Sequence, residues 1–121
     1  MDVRKVNLAE KFAEFEEQWS PKIAGEVNES YVKLVKFRGD FVWHRHEDED
    51  EMFLVVKGRF TMRFRDRDVV LEENEFLIVP KGMEHCPAAT EEAHVVLFEP
   101  KTTLNTGNVR NERTRDVLDR I

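Results

Sequence analysis

An antiparallel all-β sandwich or barrel with a helical N-terminal extension is the fold this 121-residue sequence predicts. Three observations carry that expectation. Between about residue 27 and residue 100 the chain divides into seven or more short runs rich in β-branched and aromatic residues, each bounded by turn residues. The runs lie too close together for the helical crossovers that parallel strands need. In the stretch Phe60-Thr-Met-Arg-Phe-Arg-Asp66 apolar and polar residues alternate, with Phe60, Met62 and Phe64 on one face and Thr61, Arg63 and Arg65 on the other.

The elements follow in order. Asn7 and Glu10 form a capping-box pattern, and Leu8, Phe12, Phe15 and Trp19 recur at helical spacing. This predicts an amphipathic helix over residues 7–19, about three turns long, ended before Pro21. Strands are expected over residues 31–37, 41–46, 52–57, 60–64, 69–71, 75–79 and 93–98, with Lys57-Gly58-Arg59 closing a hairpin. Met52–Val56 and Phe76–Val79 are apolar on both faces, so one face fills the barrel and the other needs separate cover. The helix can supply part of that cover, and a second subunit is the other economical source, which predicts a homodimer. Residues 101–121 are polar and read as a tail that is ordered only if it packs against something. With no repeat or linker, residues 1–121 are expected to form one domain.

Composition narrows the partners. The formal net charge is −6, and the positive charges are scattered among acids, a poor match to nucleic acid or an anionic membrane surface. No stretch approaches the roughly 18 apolar residues of a membrane span, and the first residues lack the apolar region of a secretory signal. Cys86 is the one cysteine, which excludes an intrachain disulfide and suits a reducing compartment. These features predict a cytoplasmic protein whose partner is a small molecule.

The chemistry concentrates in the histidines. On a strand, His44 and His46 of Trp43-His-Arg-His46 share a face, about 6–7 Å apart along the chain; on a helix the same spacing would separate them. Paired strand histidines also occur as surface or satisfied core residues, so the pair alone leaves chelation open. Three features favour it. Glu51 begins the following strand, the hairpin expected at Gly58 places it across from the pair, and Pro80-Lys-Gly-Met-Glu-His85 is a turn that delivers a third histidine. Glu49 and Asp50 are rivals to Glu51. Three imidazoles and a carboxylate suit one divalent transition ion (Mn, Fe, Co, Ni, Cu or Zn) and leave coordination positions for water or substrate.

These residues resemble the paired motifs of the cupin superfamily, G-x5-H-x-H-x3,4-E-x6-G and G-x5-P-x-G-x2-H-x3-N. His44, His46, Glu51 and Gly58 match the first block, with Gly39 one residue closer than the pattern has it. Pro80, Gly82 and His85 match the second, whereas Asn74 stands at its first glycine and Ala89 at its final asparagine. The six-residue gap to Gly58 selects Glu51 over its rivals. The resemblance implies a small jelly-roll barrel with His44, His46, Glu51 and His85 on one metal. Glu99–Gly107 is similar to the ending of small single-domain cupins often labelled mannose-6-phosphate isomerase-like.

Among the remaining candidates, Glu47, Asp48, Glu49 and Asp50 read as a solvated loop that lends negative potential to the barrel mouth. His94 reads as a satisfied core or rim histidine, and Cys86 as a small buried hydrophobe facing away from the metal. Trp43 and Arg45 alternate with the ligands and should point outward. Tyr31 is a possible substrate contact that nothing singles out. The leading functional expectation is isomerase- or dioxygenase-type chemistry on a small metabolite, with Glu51 available as a base. The alternative is a sugar- or metabolite-binding module without turnover. Water-filled metal positions beside a buried base would favour the enzyme, and a dry apolar pocket the binder.

Overall fold

The computed structural model describes residues 3–121, so Met1 and Asp2 of the expected domain lie outside the described residues. One short helix, α1 (Leu8–Phe12), precedes seven strands: β1 (Lys22–Val27), β2 (Ser30–Asp40), β3 (Glu51–Lys57), β4 (Phe60–Arg63), β5 (Asp68–Leu71), β6 (Phe76–Val79) and β7 (Cys86–Pro100). All strand pairs are antiparallel. The sheet runs β1-β2-β7-β3-β6, with β4 joined to β7 and β5 to β4. This is the all-β architecture expected. Among the described residues no helix is long and apolar enough to cross a membrane.

The long strand β7 organises the sheet. On one side β2 accompanies it from Ser30↔Pro100 to Asp40↔Ala88. On the other side β3 pairs with its second half (Met52↔Phe98 to Lys57↔His94) and β4 with its first (Thr61↔Ala88 to Arg63↔Cys86). The hairpin expected at Lys57-Gly58-Arg59 is therefore absent. Chain direction is kept through Gly58, and β3 and β4 follow one another along the same partner. Gly58 makes this possible at φ +80°, because a Cβ there would stand 3.0 Å from the Glu92 carbonyl oxygen and 3.3 Å from Ala93 Cα.

Three other expectations need correction. The helix spans Leu8–Phe12 and not residues 7–19, although Asn7 caps it as expected, accepting from the Glu10 amide at 3.0 Å. Beyond it, β2 offers the backbone better partners than a further helical turn: the Lys36 ammonium donates to the Phe15 carbonyl, and the Trp19 amide donates to the Lys36 carbonyl. The barrel also begins earlier than residue 27, since Lys22–Val27 is a strand on β2. Residues 41–46 form no strand, and only His44 is bridged, to His85.

Two apolar clusters divide the interior. The barrel core includes Val35, Phe37, Phe53, Val55, Phe60, Met62, Val95 and Leu97, and Trp19 reaches it from the N-terminal segment. A second cluster of Phe12, Phe15, Leu34 and Val96 lies on the outer face, where Leu54 and Val56 of β3 pack against it. The N-terminal segment thus covers the outer face of β3. On β6, Phe76 and Ile78 remain 60% and 57% exposed.

Residues 101–121 pack against the barrel through polar groups. Thr103 and Thr106 are buried. Asn108 exchanges two hydrogen bonds with the Arg45 backbone, at 2.8 and 3.1 Å, and Ile23 exchanges two with Asp119 and Ile121.

Candidate metal centre

Local backbone pairing sets the positions of the four residues. His44 and His85 face each other in an antiparallel bridge, with His44 N to His85 O at 3.1 Å and His85 N to His44 O at 2.9 Å. The turn after β6 is closed by the Met83 amide on the Pro80 carbonyl, and the Gly82 amide donates to the His46 carbonyl at 2.6 Å. Asp50 accepts from the Lys81 amide at 2.9 Å, so this acid ties the loop before β3 to the turn before His85. Glu51 opens β3 opposite Val79.

The result is a buried cluster of His44, His46, Glu51 and His85 whose ligand atoms lie within 4.8 Å of one another, an arrangement that could hold a metal ion. Glu49 and Asp50 are outside it, the former accepting from Thr102 at 2.8 Å. Trp43 and Arg45 point away as alternation requires: Arg65 stacks on the Trp43 ring at 3.9 Å, and Arg45 pairs with Glu47. His94 lies under the helix, stacked on Phe12 at 4.5 Å. Cys86 is buried beside Arg63, its thiol pushed up by burial. Tyr31 lies near Lys101 and Arg120, outside the cluster.

Hydrogen bonding decides what the rings present. Nδ1 of His44 contacts the Val42 carbonyl and Nδ1 of His85 the Met83 carbonyl, each at 2.9 Å. A carbonyl only accepts, so each Nδ1 carries the proton and each Nε2 presents a lone pair inward. Nε2 of His46 and of His85 stand 3.2 and 3.4 Å from Glu51 Oε1, yet all three atoms are buried without a hydrogen-bond partner among the described residues. For His85 an acceptor therefore faces an acceptor in a buried setting, which is costly unless a cation lies between them. The donor set fits a divalent transition ion.

The electrostatics agree with a neutral His44. His44 is pushed from 6.5 down to about 4, first by burial and next by His85. Burial alone would raise the Glu51 carboxyl, but polar contacts with Glu99, His46 and His85 outweigh it and hold the group well below the usual range. Glu99 is pushed well above its usual range by burial and by the Glu51 charge, with Lys33 opposing.

A pH prediction follows for the metal-free protein. His44 in the unfolded chain takes a proton near pH 6.5, whereas the folded protein resists until about 4. Its contribution is complete above pH 6.5 and is lost as pH falls through that window, roughly 3 kcal/mol in all. Glu99 runs the opposite way, taking up its proton earlier when folded, and offsets part of the loss. A comparison of wild type with His44→Gln isolates the histidine. Between pH 7 and 4.5, urea denaturation should show the variant losing roughly 2–3 kcal/mol less than wild type; equal losses would refute the assignment.

Above the cluster lies a cavity walled by Trp19, Pro21, Phe37, Phe41, Phe53 and Pro87, with His44 and Glu51 at its base and Asn105 of the C-terminal tail at its side. Trp19 holds φ +59°, a sparsely allowed region for a bulky residue. It is fixed there by stacking on Phe37 at 4.5 Å and Phe41 at 4.8 Å, and by its indole N–H on the Arg38 carbonyl at 2.7 Å. The cavity is about 30 Å³ measured to the centre of a water molecule, room for one or two water-sized groups. Neither Trp19 nor Asn105 was among the candidates from sequence, since both are distant from the motifs along the chain.

Departures from the cupin pattern are explained locally. Asn74, at the glycine position, has φ +70°, a left-handed conformation that asparagine tolerates. Ala89, at the asparagine position, is buried opposite Gly39.

Comparison with known proteins gives the same result. The cupin-domain family model (Cupin_2) matches residues 32–100. A cupin-2 domain protein from Shewanella frigidimarina is 43% identical, the match covering 79% of this chain and 94% of that one with a TM-score of 0.78. A Neisseria meningitidis protein is 30% identical over 81% of this chain and 100% of its own, with a TM-score of 0.74. The uncharacterized protein YdbB of Bacillus subtilis is 43% identical over 61 residues, so the chain spans about half the length (54%) of that curated relative. With the barrel, both motif blocks and these matches in agreement, the chain belongs to the cupin family.

Proposed function

We propose that the protein binds one divalent transition metal through His44, His46, Glu51 and His85 and acts on a small, uncharged metabolite. The observation that carries this reading is the convergence of buried, unpartnered His46 Nε2, His85 Nε2 and Glu51 Oε1. A divalent ion held there supplies Lewis acidity to a ligand oxygen, as isomerase-type chemistry requires, or a binding position for dioxygen. The chain supplies the rest. Three neutral imidazoles leave the centre cationic, and Glu51 is the base at hand when it leaves the ligand set. Trp19, Phe37 and Phe41 give the cavity an apolar wall, and Asn105 can donate or accept a hydrogen bond.

Among the described residues no lysine or arginine lines this cavity, so beyond the ion itself a phosphate would meet no guanidinium or ammonium partner there. This supports a neutral ligand over a sugar phosphate and weighs against mannose-6-phosphate-isomerase-like chemistry. Elemental analysis of the purified protein, with a metabolite thermal-shift screen with and without metal, tests the reading. One equivalent of a transition metal and metal-dependent shifts from unphosphorylated compounds are expected. A chain that takes up none of Mn, Fe, Co, Ni, Cu or Zn would sink it. The apolar walls favour a second reading, a metabolite-binding module without turnover, distinguished by recovering a thermal-shift hit unchanged after long incubation.

The same reading includes a cytoplasmic homodimer. The single free cysteine suits a reducing compartment. Phe76 and Ile78, exposed on the edge strand β6, supply an apolar surface that a second copy can cover. Light scattering at micromolar concentration should give twice the 14.3 kDa chain mass, and Phe76→Glu with Ile78→Glu should return it to the monomer value. A wild-type monomer would remove the dimer from the proposal.

A further inference from the structure

Lys33 and Glu99 form an ion pair inside the barrel wall, 2.8 Å apart, with side chains only 2% and 1% exposed. Their strands β2 and β7 place them at positions that otherwise point apolar groups inward: Lys33 precedes Val35 and Phe37, and Glu99 follows Val95 and Leu97, all buried. A pair in this setting contributes little net stability, because desolvating two charges costs about what their attraction returns. Well-packed apolar replacements are often neutral or stabilising. Its retention calls for another role, and its neighbour suggests one. The register that pairs Met52 with Phe98 places Glu99 beside Glu51, both buried, with their carboxyl groups in polar contact, while Lys33 bonds Glu99 Oε1 and also donates to the Thr103 carbonyl at 3.4 Å. The Glu99 atom Oε2 is buried and has no hydrogen-bond partner among the described residues.

Resting on the metal-binding reading above, we infer that the buried Lys33–Glu99 pair is a positioning device for the metal centre, orienting Glu51 toward His46 and His85 and thereby setting metal affinity. Glu51 has no hydrogen bond from the imidazoles to hold it. In an otherwise apolar wall, its free carboxylate oxygen would be left to find a second geometry. Glu99, tied to β2 through Lys33 and to the C-terminal segment through Thr103, removes that freedom. Outer partners of metal ligands act in this way, and their loss typically weakens metal binding by about 10–100-fold.

The test is the double variant Lys33→Met/Glu99→Leu, which removes both charges together and leaves an apolar pair that should fold as well as wild type. Co²⁺ alone is the probe, read by its dissociation constant and its visible absorption band. A purely structural pair predicts wild-type affinity and spectrum. Positioning predicts a loss of affinity of about 10–100-fold with a shifted band. Glu99→Gln, whose amide can still bridge Lys33 and Glu51, should recover most of the affinity and the wild-type band. Wild-type affinity and spectrum in the double variant would overturn the inference while leaving the metal site intact. A Glu99→Gln variant as weak as the double variant would overturn it too, since charge alone would then be responsible. Failure of the wild-type chain to bind Co²⁺ would remove the metal-binding reading, and this inference with it.

Discussion

Replacing His44 and His46 together by alanine should abolish metal binding while leaving the barrel folded. The two residues contribute to the fold mainly through backbone groups: His44 bridges His85 and the His46 carbonyl accepts from Gly82, and alanine keeps all of these bonds. The lost imidazoles are half of the ligand set. For wild type, metal at a hundred times its dissociation constant adds about 2.7 kcal/mol to stability, a rise of about 10 °C in melting temperature for a domain of this size. The double variant should show no rise with any of the six candidate ions, and elemental analysis should find no bound metal. Stoichiometric metal in the variant would overturn the ligand assignment.

Gly107→Ala should be the most destabilising single methyl addition outside the barrel, by roughly 2–4 kcal/mol. A Cβ at Gly107 would stand 2.2 Å from the Arg45 carbonyl oxygen and 3.2 Å from His44 Cδ2, and its φ of +57° disfavours any side chain. The Arg45 carbonyl cannot give way freely, since it accepts from Asn108 and lies between two proposed ligands. The tail must withdraw instead, taking Asn105 from the cavity wall. Urea denaturation measures the loss, and faster hydrogen exchange at Asn108 and Val109 locates it. Gly25→Ala is the control. Nothing lies within 4 Å of its added methyl, and a change within about 0.5 kcal/mol is expected. Equal effects at the two glycines would refute the packing account.

The residues of the cluster were legible because their signals are local. Alternation puts His44 and His46 on one side of an extended chain whether or not it joins a sheet, so the two share a face although residues 41–46 form no strand. The turn from Pro80 to His85 was likewise written in consecutive residues. The helix ends sooner than residue spacing implies for the opposite reason. Phe15 and Trp19 have helical spacing, but they are buried in two different clusters, and β2 supplies the partners that draw the chain out of helical form. Spacing records that a residue is buried, not which surface buries it.

Polar packing was the other blind spot. The C-terminal segment has almost no apolar periodicity, yet Thr106 is fully buried, Asn105 bonds the Arg113 carbonyl 8 residues away, and Asn108 bonds the Arg45 amide 63 residues away. Lys33 and Glu99 did leave a trace, each a charge at the inward phase of its strand. Their opposite signs meet only because Tyr31↔Glu99 and Lys33↔Leu97 set the register of β2 on β7.

By itself the sequence determined the all-β class, the two motif blocks and the four residues of the cluster. All of these rest on side-chain chemistry and spacings of a few residues, which a local reading captures. Only the tertiary structure decided that β3 and β4 run in succession along β7, that Trp19 and the C-terminal segment wall the cavity, and that Lys33 and Glu99 stand behind Glu51. Those contacts join residues far apart in the chain, and they are selected by the packing and hydrogen-bond satisfaction of the whole barrel.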